Sequence, residues 1–107
     1  MRRGELRVIR SRVTGRDRRA LIVGSDALNA HPSVPWVMTA PVDTEGLADE
    51  TLVTVRIDRP LAGLVCLGQV TSVRKDRVGD LVGLVDAEVM ASVDTVLRAA
   101  LDLWSAV

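Results

Sequence analysis

Four arginines, at positions 12, 16, 18 and 19, crowd the stretch RVTGRDRRALIVGSDALN (residues 12–29), which passes quickly from positive charge into the apolar run Ala20-Leu-Ile-Val23. A guanidinium carries parallel N–H donors that grip two oxygens of one phosphate, whereas a lysine supplies charge without that fork. Held at the mouth of a rigid strand, such a group can neutralise the charge that gathers on a phosphodiester as a fifth oxygen arrives. Arg19 adjoins the apolar run and is the expected clamp; Arg16 and Arg18, in the loop before it, are expected to bind the backbone of a polyanion. Simple solvation of a basic loop is the competing reading.

Other chemistry is sparse. The only histidine, His31, lies between Ala30 and Pro32 in a predicted loop, as either a proton shuttle or a plain surface residue. The only cysteine, Cys66, cannot form an internal disulfide, and it sits in the apolar stretch Gly63-Leu-Val-Cys-Leu67 as a small buried hydrophobe does. One His and one Cys in separate regions make no transition-metal site, and the acids lack the spacing of a calcium loop. The chain has no Gly-rich phosphate cradle and no nucleophile elbow. No cofactor and no metal is therefore expected, which leaves arginine, hydroxyl and carboxylate chemistry.

The frame for these groups is one domain spanning 1–107, with an ordinary globular balance of 48% apolar and 26% charged residues. With Trp36 and Trp104 as the only aromatics, the core has to be aliphatic. A net charge of zero conceals a division: residues 1–19 hold eight arginines against Glu5 and Asp17, leaving +6, and residues 20–107 carry the balancing −6. Such asymmetry points to an anionic partner for the basic end. No apolar h-region follows the first charges and no run has the length of a membrane span, so a cytoplasmic protein is expected.

Alternation of polar and apolar residues predicts strands over Glu5–Arg10 and Leu52–Ile57, a continuous apolar run predicts one over Ala20–Val23, and Trp36-Val-Met-Thr-Ala40 reads as the next, stopped by Pro41. Gly63 to Val73 is rich in β-branched and apolar residues, Lys75-Asp-Arg77 reads as a polar turn, and Leu81–Val85 as a short last strand. Asp26-Ala-Leu-Asn29 reads as one capped helical turn. After Asp86, a predicted N-cap, apolar residues at 89, 90, 93, 96, 97, 100, 101 and 104 follow a single helical face, predicting a closing amphipathic helix that packs on the sheet. The fold class is α+β, mostly β: a small antiparallel sheet or barrel with a C-terminal helix.

In that order the segments resemble the MazF/PemK toxin family over nearly the full length. The resemblance rests on RRGEL at 2–6, RRALIVGSDALN at 18–29, VMTAPVDT at 37–44, GLVCLGQVTSVRKDRVGDLVGLV at 63–85 and MASVDTVLRAALDL at 90–103. It implies a small open barrel shared with the CcdB gyrase poisons, a homodimer, and metal-independent endoribonuclease activity on single-stranded RNA restrained by a MazE-like antitoxin. Carried over by position, the family's strand-opening arginine becomes Arg19, and its hydroxyl position falls on Asp43, with Thr44 next. The glutamate of the family's first loop has no counterpart, and the arginine two residues after the Gln is Thr71 here.

Asp43 then has two readings: general base for the 2'-hydroxyl, with Thr44 bonding the phosphate, or a structural residue that pairs with Arg19 or caps a turn. Base recognition is expected from stacking on Trp36, His31 and arginine planes and from hydrogen bonds of Gln69, Asn29 and Ser25, the last three having strand-end or turn roles as their alternative. Two rival functions stay open: a CcdB-like gyrase poison, suggested by Trp104 near the chain end, and a family member that binds RNA or antitoxin without cutting.

Overall fold

The apolar run behind the arginines forms the middle of a seven-stranded antiparallel sheet. The computed structural model describes residues 1–13 and 15–105, without the side chains of 102–105. In chain order it contains β1 (Glu5–Ile9), β2 (Arg18–Ile22), α1 (Asp26–Ala30), β3 (Trp36–Asp43), β4 (Thr54–Ile57), β5 (Gly63–Cys66), β6 (Thr71–Arg74), β7 (Val78–Leu84) and α2 (Ala87–Ser105). Single 3-10 turns at Leu67–Gln69 and Lys75–Arg77 link β5 to β6 and β6 to β7. The strand order is β4-β5-β3-β2-β1-β7, with β6 on β3, and the sheet does not close.

Burial on both faces explains why β2 shows no polar alternation. Leu21 enters the larger core with Leu6, Ala40, Val42, Val65 and Val93, while its neighbours Ala20 and Ile22 enter a smaller one with Ile9, Val37 and Val73. Side chains alternate across a strand, so these two clusters label the two faces of the sheet. Helix α2 covers the first face through Val89, Met90, Val93, Val96 and Leu97, as the apolar period predicts. The side chain of Trp104 lies outside the described residues, as do Thr14 and residues 106–107.

Four strand expectations need correction. Pro41 does not stop β3, which runs on to Asp43. On one side β3 pairs with β6 over residues 36–39 and with β5 over 42–43, so Pro41 falls at the handover, where its missing N–H breaks neither ladder. The 63–73 stretch is two strands, because the 3-10 turn at Leu67–Gln69 redirects the chain from one part of β3 to the other. The last strand starts earlier, at Val78, where it pairs with Ile9, and β4 is shorter than expected.

Half of the N-terminal arginines serve the fold. Arg3 pairs with Asp94 of α2 and donates to the carbonyl of Val23, which ties the helix to the end of β2. Arg7 pairs with Glu5 at 2.9 Å and donates to the carbonyl of Gly79, joining β1 to β7. Burial pushes the Glu5 carboxyl up, but bonds from the Arg2 backbone and the Arg7 guanidinium outweigh it and hold it below the ordinary value. Arg10 donates to the carbonyl of Asp76, and Arg12 approaches the Asp76 carboxylate at 3.7 Å.

Candidate functional site

Beside the start of β2, the end of β3 and its following loop border an open groove of about 720 Å³. Arg16, Arg18, Arg19, Asp43, Thr44 and Gln69, six of the expected site residues, all line it. One wall is the arginine segment with Asp17, and the other is Asp43, Thr44 and Glu45. With Asp17 counted, three arginines and three carboxylates line the groove together with the Thr44 hydroxyl, and the formal charges cancel.

Register separates the two adjacent arginines. Ala20 pairs with Pro41, and both Ala20 and Ile9 belong to the smaller core. Arg18, opposite Ile9 and two residues from Ala20, shares that face; Asp43, two residues from Pro41, shares it too. Arg19, opposite Val8, springs from the other face with Leu21 and borders the groove from the strand's end. By register Arg18 springs from the face that carries Asp43 and Arg19 from the other, and both residues line the groove. Both arginines are exposed, and among the described residues no carboxylate pairs with either.

Asp43 organises the opposite wall. Its Oδ2 accepts the Ala48 N–H at 2.8 Å and its Oδ1 the Glu45 N–H at 3.2 Å, closing the 43–48 turn. Gly46, with φ +74, supplies the left-handed residue that this tight path requires. The Ala48 bond, joined by those of Glu45, Leu47 and Gly46, outweighs burial and holds the Asp43 carboxyl below its ordinary value. Of the two readings, this geometry displays the turn cap, and no ion pair with Arg19 is present among the described residues.

Close packing fixes the end of β3 from behind. A Cβ on Gly63 would stand 2.8 Å from Cγ1 of Val42, 3.0 Å from the carbonyl oxygen of Asp43 and 3.5 Å from Cγ2 of Thr44. Only glycine lets β5 approach there, a requirement that its place in an apolar stretch does not announce. Cys66, also on the groove, is 7% exposed, and its thiol lies 3.6 Å from the carbonyl of Leu64. Burial first, then the Asp43 charge, push its pKa up, in keeping with a structural thiol.

The other expected binding residues stand elsewhere. Trp36 and Met38 occupy the opposite face of β3 from Asp43, since Val37 between them enters the smaller core. Ser25 is the N-cap of α1 and accepts the Leu28 N–H at 3.3 Å, while Asn29 is buried and donates to the carbonyl of Gly24 at 3.1 Å. His31 caps the other end of α1, and its Nδ1 accepts the Ser33 N–H at 3.1 Å. Ser25 and Asn29 thus have turn and helix-end roles, and none of these four residues lines the groove. Sequence reading missed Arg74, whose guanidinium lies 5.4 Å from the centre of the Trp36 ring through the β3–β6 register. Among the described residues there is no cluster of three or more His, Cys, Asp or Glu that could hold a metal, and no helix long and apolar enough to cross a membrane.

Comparison with known proteins agrees with this architecture. No curated protein sequence matches the chain. Among solved structures, an endoribonuclease from a mycobacterial species in complex with its cognate antitoxin superposes with a TM-score of 0.82 at 26% identity, covering 96% of each chain. A second mycobacterial endoribonuclease superposes at 0.78 with 27% identity, over 95% of this chain and 91% of that one. The MazE–MazF structure of Deinococcus radiodurans, at 22% identity, shares the fold with a TM-score of 0.77 over 94% of each chain. Residues 2–101 match the family described as PemK-like, MazF-like toxins of type II toxin-antitoxin systems, and the chain belongs to that family.

Proposed function

We propose that this protein is a toxin that works as an endoribonuclease, cutting single-stranded RNA without a metal through attack of a 2'-hydroxyl on the adjacent phosphate. The reading rests on one arrangement: arginines on one wall of the groove face a hydroxyl and a carboxylate on the other. The likeness to two mycobacterial endoribonucleases supports it. Arg18 grips the scissile phosphate from the Asp43 face, and Arg16 and Arg19 hold the flanking backbone. As the 2'-oxygen bonds to phosphorus the P–O5' bond breaks, so the guanidinium stabilises the charge on the equatorial oxygens. The 2'-proton leaves to water in the open groove, and the departing 5'-oxygen takes a proton from that water. The products are a 2',3'-cyclic phosphate and a 5'-hydroxyl.

Asp43 chiefly holds the turn that presents Thr44; its depressed pKa keeps it ionised and makes it a weak base. Copies act as a cytoplasmic homodimer. A MazE-like antitoxin silences them by laying acidic and apolar side chains over the arginine wall. RNA binding without cleavage is the second reading, favoured by a carboxylate engaged in a turn at the family's hydroxyl position.

Incubation with total RNA in the presence of chelator, comparing wild type with Arg18→Ala and Arg19→Ala and mapping the cut ends, tests the proposal. Cyclic-phosphate ends from wild type and their loss in Arg18→Ala are expected. RNA that is bound but uncut selects the second reading, and a requirement for metal overturns the mechanism.

A further inference from the structure

The cancellation of charge in the groove leaves open where a polyanion gains its hold. Arg10, Arg12, Arg74, Lys75 and Arg77 gather around the 3-10 turn between β6 and β7, with Asp76 the carboxylate that Arg12 and Arg74 approach, at 3.7 and 3.5 Å. One end of this cluster adjoins the strand pair that carries Arg18: Arg77 donates to the carbonyl of Arg10 at 2.8 Å, and Arg10 follows Ile9, the partner of Arg18. Its other end meets Trp36, through Arg74 across the strand pair and through the Lys75 N–H on the carbonyl of Pro35 at 2.8 Å. Trp36 is 46% exposed, beside an apolar hollow of about 140 Å³ lined by Leu28, Val34 and Met38.

Resting on the nuclease reading, we infer that this basic path ending on Trp36 is a second RNA-binding site, which holds nucleotides beyond those at the cut. Arginines 10, 12, 74 and 77 engage phosphates, and a base stacks on Trp36, whose ring Arg74 already flanks. A base offers its π-face to a lone indole whatever its identity, so the site adds affinity and length preference with little sequence preference. The same cations set the substrate requirement: single-stranded RNA long enough to reach from Arg18 to Trp36.

The test uses the full chain with Trp104→Phe, leaving Trp36 as the reporter, and two oligoribonucleotides sharing one mapped cut sequence, a tetranucleotide and a sixteen-mer. The sixteen-mer should quench Trp36 and the tetranucleotide should not. Trp36→Ala and Arg74→Ala should each raise KM for the sixteen-mer about tenfold at unchanged kcat and leave the tetranucleotide unaffected, and Trp36→Phe should restore most of the loss. Equal effects on both lengths, or none on either, overturn the inference while leaving the nuclease reading intact. Quenching by polyglutamate as strong as by RNA overturns it in favour of an acidic protein partner. Quenching by the sixteen-mer without cleavage of any RNA supports the second site and removes the nuclease reading.

Discussion

Asp43 and Ala48 are joined by a 2.8 Å hydrogen bond from backbone N–H to carboxylate, and that bond is the largest influence holding the Asp43 carboxyl below its ordinary value. A carboxyl whose folded pKa lies below the unfolded one adds stability that is complete above the unfolded value, about 3.9 for Asp, and is lost as pH falls through the lower folded value. Turn closure should therefore be insensitive to pH between about 5 and 8. The kcat/KM profile should show no acid limb from Asp43 in that range, and Tm should fall only in more acidic buffer, where Glu5 contributes in the same direction. A limb centred within the range that vanishes in Asp43→Asn would restore the general-base role.

Arg18 and Arg19 should separate kinetically. Arg18→Ala should lower kcat by about 100- to 1000-fold, the usual cost of removing a donor that meets charge only in the transition state. Arg18→Lys should recover little, since it keeps charge but not the fork. Arg19→Ala should act mainly on KM and reduce the salt dependence of RNA binding by about one phosphate contact. Steady-state kinetics at two ionic strengths measure both, and a larger kcat loss in Arg19→Ala than in Arg18→Ala would reverse the assignment.

That the sequence does not show on which faces of β2 Arg18 and Arg19 stand has a simple cause. A half-buried strand declares its faces through alternation, but Ala20-Leu-Ile-Val23 is apolar throughout because both of its faces meet a core. With no alternation to read, two neighbouring arginines cannot be assigned to sides. The same ambiguity separated Trp36 from the groove, since Trp36-Val-Met does not reveal that Val37 alone faces the smaller core. Helix α2 was readable because its period is long and its two sides differ in polarity. The capping of α1 by Ser25 was readable because it is local. The Asp43 turn and the Gly63 contact depend on which strands become neighbours, which no short window encodes.

Gly63→Ala tests whether packing behind the site governs its geometry. The added methyl would meet Val42 and the Asp43 carbonyl at distances that force β3 and β5 apart, and overpacking of this kind costs about 1–3 kcal/mol. Because the displaced residues carry the Asp43 turn, kcat should fall with Tm. Thermal unfolding and cleavage rates measured on the same preparation would show it. A stable variant with full activity would mean that the strand ends move freely without consequence for the groove.

Cys66 gives an independent view of the same turn. Its thiol is raised by burial and by the neighbouring Asp43 charge, and the thiolate is the reactive form, so alkylation of the folded protein at neutral pH should be much slower than that of the unfolded chain. Asp43→Asn removes the neighbouring charge and replaces one acceptor oxygen with an NH₂ donor. The amide can satisfy either the Ala48 or the Glu45 N–H but not both, so the turn loosens over Cys66. Both changes act in one direction, and iodoacetamide labelling of the folded variant should accelerate relative to wild type, in step with its loss of cleavage. Labelling that stays slow while cleavage collapses would show that the turn survives without the carboxylate, and that Asp43 acts on the RNA directly.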